Sequence, residues 1–134
     1  MNNYEAADLN RMIQVSLSAV DHTHPIANTD FPKLSIVIPS YNQGKYIERS
    51  ILSVLNQNYP NLELIIIDGG STDDTLSVIK KYSSHISYWE STSDRGQSHA
   101  LNKGFEKATG NILGWLNSDD LYLPNCFSIV ASSF

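Results

Sequence analysis

Cysteine is nearly absent from this sequence, because Cys126 is the only one among 134 residues. A single cysteine forms neither an intramolecular disulfide nor a cysteine zinc cluster, so both are excluded as the means of holding the fold. Basic residues are also few, with 9 lysines and arginines against 14 aspartates and glutamates and a net charge of −5. A nucleic-acid-binding protein needs a basic surface that replaces phosphate counterions, so this balance is evidence against one.

Long apolar runs are missing as well. The longest is Leu64–Ile67, far below the ~20 residues of a membrane-spanning helix. The first residues, Met1–Asp8, are acidic where a secretory signal is basic. Together with the single cysteine, these absences predict a cytoplasmic protein with no membrane span.

The length and composition fit one domain. Single domains typically contain ~100 to 200 residues, and hydrophobic residues make up 41% of this chain, as in ordinary globular proteins. Residues 1–33 show weak patterning, with one short helix predicted over Leu9–Val20. We therefore predict an N-terminal extension over residues 1–33 and a single domain over residues 34–134.

From residue 34 onward, two kinds of apolar pattern alternate. Short apolar runs typical of buried strands are separated by stretches whose apolar residues recur at helical spacing. The predicted strands are Leu34–Ile38, Leu62–Ile67, Ile86–Glu90 and Ile112–Leu116. Because a helix between parallel strands must pack back on the sheet, this alternation predicts an α/β, Rossmann-like fold. Its mostly parallel sheet would have helices on both faces.

Local signals mark where the predicted helices begin and end. Ser71, followed three residues later by Asp74, is typical of a capping box at the start of the second helix. Gly110 is the predicted C-cap of the third helix. A final helix is predicted to begin at Pro124.

Polar residues follow each predicted strand. The four clusters are Pro39–Asn42, Asp68–Ser71, Asp94–Gly96 and Asn117–Asp120. In an open parallel sheet the ligand crevice lies beyond the carboxyl ends of the strands, so all four clusters are expected at one rim. Neither of two familiar phosphate-binding loops is present, because no G-x-G-x-x-G follows the first strand and no P-loop occurs. This is evidence against a dinucleotide oxidoreductase and a P-loop NTPase.

Each acidic residue of this rim has two interpretations. Asp119 and Asp120 either bind a hard divalent cation, Mg²⁺ or Mn²⁺, together with phosphate oxygens, or cap the helix that follows. Asp68 either holds the turn after its strand or accepts hydrogen bonds from a nucleobase or a ribose. The residues alone leave both choices open.

Two further residues of the rim are equally ambiguous. Tyr41 either stacks on a flat base or packs at the end of its strand. Asp94 either forms a salt link with Arg95 or contacts ligand hydroxyls.

Five motifs occur in one order along the chain, and together they resemble family 2 of the inverting glycosyltransferases. They span Leu34–Asn42, Ile67–Thr75, Ala100–Gly104, Ala108–Gly110 and Gly114–Asp120. The resemblance covers the chain from residue 34 to about residue 125, which is about the nucleotide-binding half of such an enzyme. It therefore implies that residues 34–134 are the sugar-nucleotide-binding half of a glycosyltransferase domain. It implies an A-type glycosyltransferase fold with the sheet order 3-2-1-4. It also implies that a nucleotide-sugar donor binds through Mn²⁺ or Mg²⁺ held by a D-x-D-like motif.

The resemblance assigns the donor-binding residues one by one. Pro39 and Tyr41 match positions that line the nucleoside pocket. Asp68 matches an acid that contacts the base or the ribose, and Asp94 matches a loop acid near the donor sugar. The donor expected from this resemblance is a UDP-sugar.

Asp119 matches the metal-binding acid of the family, and Asp120 matches its neighbour in the sugar-phosphate site. The sequence departs from the family pattern at two positions. Gly69 stands where many members carry a second acid, and Asn117 stands at the first acidic position of the metal motif.

The resemblance implies transfer of a sugar to an acceptor hydroxyl with inversion, in cell-surface polysaccharide biosynthesis. The alternative is a non-catalytic half-domain that binds a nucleotide sugar or depends on a partner. A nucleotidyltransferase of related architecture is a third hypothesis, but the glycine- and arginine-rich loop usual after its first strand is absent.

In the family, the catalytic base and the acceptor site follow the metal motif, whereas only Leu121–Phe134 follow it here. We therefore expect the 134-residue chain alone to lack transfer activity. The uncharged strand Ile112–Leu116 would lie at an edge of the sheet, and such an edge pairs readily with another chain. Self-association, or pairing with a second polypeptide, is the expected consequence.

Overall fold

The computed structural model describes residues 31–134. The helix predicted over Leu9–Val20 and most of the predicted extension lie outside these residues. The strands are β1 (Leu34–Ser40), β2 (Leu62–Asp68), β3 (Tyr88–Ser91) and β4 (Ile112–Trp115). The helices are α1 (Ile47–Leu55), α2 (Thr75–Lys81), α3 (Gln97–Lys107) and α4 (Cys126–Ser132), with a short 3₁₀ helix at Ser83–His85.

The four strands form one parallel sheet in the order β3-β2-β1-β4. The predicted fold class and strand order are confirmed. Along β1, Leu34 pairs with Leu62 of β2 and with Ile112 of β4, so all three strands start level. Because the strands are parallel, their carboxyl ends also meet at one rim, where the polar clusters follow.

Alternate residues of the central strands face opposite sides of the sheet. Ile36 and Ile38 of β1 pack in one apolar cluster with residues of α1, α2 and α4. Val37 lies in a second cluster on the opposite face, with Ala100 of α3. The central strands are uninterrupted apolar runs because helices cover both faces of the sheet. Each fully buried isoleucine contributes about 1.5 to 3 kcal/mol to folding.

Helix α3 lies unusually close to the sheet. Gly104 of this helix faces Val37, and a Cβ built on Gly104 would stand 2.3 Å from Val37 Cγ1. No larger residue fits without displacing the helix from β1. This close approach fixes α3 on the sheet and thereby places its first turn at the carboxyl rim.

The predicted helix ends were wrong at two places. Ser71 does not cap α2, because its hydroxyl is bonded within the loop that precedes the helix. Asp74 is at the N-cap position and makes no side-chain capping bond. The preceding Asp73 accepts hydrogen bonds from the Thr75 N–H and hydroxyl at 3.0 and 2.5 Å. Gly110 is not a C-cap either, since α3 ends at Lys107 and a Cβ on Gly110 would stand 2.4 Å from Ser35 Oγ.

The end of the sheet opposite the polar rim is tied by Glu63. Its Oε1 accepts hydrogen bonds from the Ser35 hydroxyl at 2.7 Å and the Thr109 N–H at 2.8 Å, and Lys33 Nζ lies 3.4 Å from its Oε2. Burial alone would raise the pKa of Glu63. The hydrogen bonds from Thr109 and Ser35 and the charge of Lys33 outweigh burial and hold the pKa below its usual value.

Strand β4 is an edge strand, as predicted. Within residues 31–134 it pairs with β1 alone. Leu113 and Trp115 are 51% and 46% exposed. The self-association that we expect through this edge stays a prediction. Among the described helices, none is both long and apolar enough to cross a bilayer.

Candidate functional site

A cleft of about 550 Å³ opens at the carboxyl ends of the strands. All four strand-end clusters named in the sequence contribute to it. The residues that line it are Pro39, Ser40, Tyr41, Gln43, Gly69, Ser93, Asp94, Gly96, Gln97, Ala100, Asn117, Ser118 and Asp119. Four of the six predicted site residues are among them. Asp68 and Asp120 are not.

The loops after β1 and β2 hold each other through reciprocal hydrogen bonds. The Asn42 N–H donates to Ser71 Oγ at 2.8 Å, and the Thr72 N–H donates to Asn42 Oδ1 at 2.9 Å. Asn42 has a left-handed φ of 50°, which turns the chain sharply after the strand. As a result, Tyr41 remains 60% exposed and borders the cleft. The ring does not pack in the core, which excludes packing as its explanation.

Asp68 is fully buried and holds the loop that follows it. Its carboxylate accepts hydrogen bonds from Gly70 N–H at 3.1 Å and Ser71 N–H at 2.8 Å. It also accepts from the hydroxyls of Ser71 at 2.6 Å and Ser91 at 2.7 Å. This geometry favours the turn interpretation. A contact of Asp68 with a nucleotide stays a prediction.

Asp94 lies in the loop between β3 and α3 and borders the cleft. Its Oδ1 accepts a hydrogen bond from the Gly96 N–H at 2.9 Å. Within the described part of the chain, Asp94 forms no salt bridge with Arg95, so the salt-link interpretation fails. The Arg95 N–H instead donates to His99 Nδ1 at 3.0 Å. No pattern in the sequence indicated this role of His99.

Asn117 links the rim of β4 to the first turn of α3. Its Oδ1 accepts a hydrogen bond from Gln97 Nε2 at 2.6 Å, and its Nδ2 donates to Asp120 Oδ2 at 3.2 Å. An amide can accept from one neighbour and donate to the other, whereas an aspartate at this position would repel Asp120. The departure from the family pattern at Asn117 therefore has a structural role.

Asp119 and Asp120 are both exposed. Helix α4 begins only at Cys126, with Asn125 at its N-cap, so neither acid caps it. Asp119 borders the cleft, and its carboxylate makes no hydrogen bond or ion pair with the residues that the structure describes. The main-chain oxygen of Asp120 accepts from Ser50 Oγ at 2.5 Å, which anchors the loop on α1.

The sequence model of one protein family matches residues 35–134, the segment that contains the whole sheet and cleft. This chain belongs to glycosyl transferase family 2. The match confirms the family that the five motifs predicted.

Curated relatives of this family 2 chain are named as glycosyltransferases. An uncharacterised glycosyltransferase of Rickettsia typhi is 40% identical over 98 residues, covering 73% of this chain and 30% of that protein. TuaG of Bacillus subtilis, described as a teichuronic acid biosynthesis glycosyltransferase, is 40% identical over 94 residues. That alignment covers 66% of this chain and 36% of TuaG. The chain thus spans about a third of the length of these relatives.

Solved structures confirm the A-type glycosyltransferase fold. S. aureus TarS 1-349 in complex with UDP-GlcNAc superposes with a TM-score of 0.68 at 28% identity, covering 75% of this chain and 30% of that one. The mannosyltransferase PcManGT from Pyrobaculum calidifontis in complex with GDP-Man and Mn²⁺ gives a TM-score of 0.66 at 26% identity. That match covers 92% of this chain and 38% of PcManGT.

A divalent cation is compatible with the acids of this family 2 cleft. Residues 31–134 contain no group of three or more side chains placed to hold a metal ion by themselves. Mg²⁺ commonly binds through one or two carboxylates plus the phosphates of a substrate, and Mn²⁺ also prefers oxygen ligands. The unpartnered carboxylate of Asp119 at the cleft fits that arrangement.

Sequence reasoning missed several residues of the cleft. Gln97 reaches it because α3 begins at the rim, and Ser40 reaches it as the last residue of β1. Ser40 Oγ is buried and has no hydrogen-bond partner among the described residues. Ser40 belongs to the predicted strand-end cluster Pro39–Asn42, but no role was predicted for it. The presence of Gln97 at the cleft depends on where α3 begins, and the positions of the strands in the sequence do not predict where this helix begins.

Proposed function

We propose that this chain is the donor-binding part of a glycosyltransferase that transfers a sugar, with inversion, from a nucleotide sugar to an acceptor hydroxyl. The observation that supports this best is the single cleft at the carboxyl rim. It brings together residues from the ends of four different strands: Pro39 and Tyr41 at β1, Gly69 after β2, Asp94 after β3 and Asp119 after β4. A bound donor would contact all four loops at once.

The solved relatives support a nucleotide-sugar donor. TarS is in complex with UDP-GlcNAc, and PcManGT is in complex with GDP-Man and Mn²⁺. We propose a UDP-sugar for this chain, with a GDP-sugar as the competing outcome of the test. The named role of TuaG in teichuronic acid biosynthesis supports a cell-surface polysaccharide as the product class. The single cysteine of the chain favours a cytoplasmic location.

Tyr41 and Pro39 would receive the nucleoside. The exposed ring of Tyr41 offers a flat apolar face beside the cleft, and stacking of a base on an aromatic side chain is worth about 1 to 3 kcal/mol. Pro39 is buried and borders the cleft, so it would form part of the floor. Asp68 would support this pocket indirectly, because its carboxylate fixes the loop of Gly69 and Gly70.

Asp119 would hold Mn²⁺ or Mg²⁺ at the other side of the cleft. Such a cation, when bound, neutralises charge on the diphosphate leaving group. Asp120, kept in place by Asn117 and Ser50, would lie next to the sugar phosphate. The chain itself would bind and orient the donor while the acceptor oxygen forms its bond to the anomeric carbon and the bond to the diphosphate breaks.

Calorimetry with UDP, GDP and dTDP, each in the presence of Mn²⁺ or of a chelator, tests this proposal. We expect UDP to bind most tightly, and to bind more weakly with chelator than with Mn²⁺. Tightest binding of GDP would keep the function but change the donor class. If UDP binds equally tightly with Mn²⁺ and with chelator, the proposed metal role is wrong. No binding of any of the three would overturn the proposed function.

A further inference from the structure

We propose that Asp94 supplies the carboxylate that recognises the nucleoside of the donor, in place of an acid at position 69. This inference rests on the proposed function and specifies which part of the donor Asp94 contacts. The family resemblance places Asp94 near the donor sugar, whereas the structure points to the opposite end of the ligand. Gly69 is the residue that makes this arrangement possible.

The first observation is the space above Gly69. A Cβ built on Gly69 would stand 3.0 Å from both carboxylate oxygens of Asp94. A side chain at position 69 would therefore press against the Asp94 carboxylate, which would have to shift by a few tenths of an ångström. The carboxylate of Asp94 occupies the place into which a side chain at 69 would project, and both residues border the cleft.

The second observation is that the backbone does not require glycine at position 69. Among the described glycines, those with positive φ are Gly70, at 88°, and Gly96, at 107°. Gly69 is held against β1, where its N–H donates to the Ser40 carbonyl at 2.8 Å. The φ of Gly69 does not require glycine, so the crowding at this position comes from the Asp94 carboxylate and not from the backbone conformation.

The third observation is where Asp94 lies relative to the proposed metal site. Gly69 follows β2 and Asp119 follows β4, with β1 between them in the sheet. Neighbouring strands are about 4.8 Å apart, so the ends of β2 and β4 are roughly 10 Å apart. The Asp94 carboxylate lies beside Gly69, at the β2 end of this span. If the diphosphate lies beside Asp119, the nucleoside extends past Tyr41 toward Asp94.

The fourth observation concerns the hydrogen-bonding capacity of Asp94. Oδ1 accepts from the Gly96 N–H, and this bond fixes the side chain. Oδ2 has no hydrogen-bond partner among the described residues, so it remains able to accept from a ligand. A carboxylate accepts hydrogen bonds and donates none, and so selects N–H and O–H groups. In a uridine nucleotide these groups are the imide N–H of the base and the ribose hydroxyls.

The variant Asp94→Asn tests the role of the charge. An asparagine can still accept the bond from Gly96, so the loop and the melting temperature should be unchanged. The affinity for UDP with Mn²⁺ should fall roughly tenfold, since a hydrogen bond to a charged group is lost. Equal affinities of wild type and Asp94→Asn, with wild type binding UDP, would overturn this inference and leave the proposed function intact. If wild type binds neither UDP nor GDP, the proposed function fails first.

Moving the carboxylate back to position 69 gives a second test. Gly69→Asp alone should bind UDP poorly because two carboxylates would compete for one space. Asp94→Ala alone should also bind poorly. The double variant Gly69→Asp/Asp94→Ala should recover at least part of the affinity, while its matched control, Gly69→Ala/Asp94→Ala, should not. A double variant no better than that control would contradict the proposal.

Nucleotide analogues identify which group Asp94 contacts. If it accepts from the imide, N3-methyl-UDP should bind wild type and Asp94→Asn equally, whereas 2′-deoxy-UDP should still distinguish them. If Asp94 accepts from the ribose 2′-hydroxyl, 2′-deoxy-UDP should bind wild type and Asp94→Asn equally, whereas N3-methyl-UDP should still distinguish them. If both analogues distinguish the two proteins as strongly as UDP does, 3′-deoxy-UDP tests the remaining ribose hydroxyl. If all three analogues distinguish the two proteins as strongly as UDP does, the inference is wrong.

Discussion

Replacing Asp119 by asparagine should change nucleotide affinity in opposite directions with and without a cation. The variant Asp119→Asn removes one negative charge and preserves the shape of the side chain. Because Asp119 is exposed and makes no hydrogen bond or ion pair with residues 31–134, folding stability should stay within about 0.5 kcal/mol.

The magnitude follows from the charges at the cleft. Two unit charges 4 Å apart interact by about 1 kcal/mol in water and about 4 kcal/mol at an effective dielectric constant of ~20. The exposure of Asp119 favours the lower limit. Losing attraction to a doubly charged cation then costs about 2 kcal/mol, or roughly 30-fold in affinity for UDP with Mn²⁺. With chelator, losing repulsion from the diphosphate should improve affinity by roughly fivefold.

Calorimetric titration of wild type and Asp119→Asn with UDP, each with Mn²⁺ and with chelator, measures all four affinities. The sign reversal is the decisive feature, because a general disturbance of the cleft would weaken binding in both conditions. Equal loss in both conditions, or no loss with Mn²⁺, would refute the assignment of Asp119 as the metal-binding acid.

Three further predictions concern stacking, packing and pH. Tyr41→Ala should weaken UDP binding by about 1 to 3 kcal/mol in calorimetry while Tyr41→Phe does not, and equal losses would exclude stacking. Gly104→Ala should lower the free energy of unfolding in urea by about 1 to 3 kcal/mol, because its methyl group would collide with Val37, and an increase would contradict the observed packing. Folding lowers the pKa of Glu63, so Glu63 stabilises the protein above its unfolded-state pKa of about 4.5, and this contribution is lost as pH falls through the folded-state pKa. Urea unfolding should therefore show that Glu63→Gln costs stability at pH 7 and much less near pH 3, whereas a constant difference would refute the linkage.

The strands and the rim were predictable because their signals are local. A parallel strand buried on both faces has an unbroken apolar run, and this identified the cores of β1, β2 and β4. Strand β3 was shifted, since observed Tyr88–Ser91 replaces predicted Ile86–Glu90. Its residues are only half-buried, so hydrophobicity marks its ends poorly.

The contacts between loops were not predictable, because they join residues that are distant in the chain. Serine is a typical capping residue, but the groups of Ser71 are already bonded elsewhere. Its hydroxyl accepts from the Asn42 N–H, and its hydroxyl and N–H both donate to Asp68. Glycine is a typical residue at the end of a helix, yet position 110 requires glycine because Ser35 approaches it closely. In both cases the residue type indicated a special position, but the sequence alone does not show which distant residue is the partner.

The candidate site shows the same division. Strand-end positions located Tyr41, Asp94 and Asp119 at one cleft. The bond between Gln97 and Asn117 depends on the position of α3 across the sheet, which Gly104 determines by its approach to β1.

The most direct test of the central claim is to map the binding of UDP with Mg²⁺, which is diamagnetic, on the ¹⁵N-labelled chain by NMR. Glycine amides provide matched reporters, because Gly69 and Gly96 border the cleft while Gly110 lies at the opposite end of the sheet. The account predicts saturable shifts of the Gly69 and Gly96 amides and an unchanged Gly110 amide. Absence of saturable shifts at Gly69 and Gly96, or shifts centred on Gly110, would contradict it.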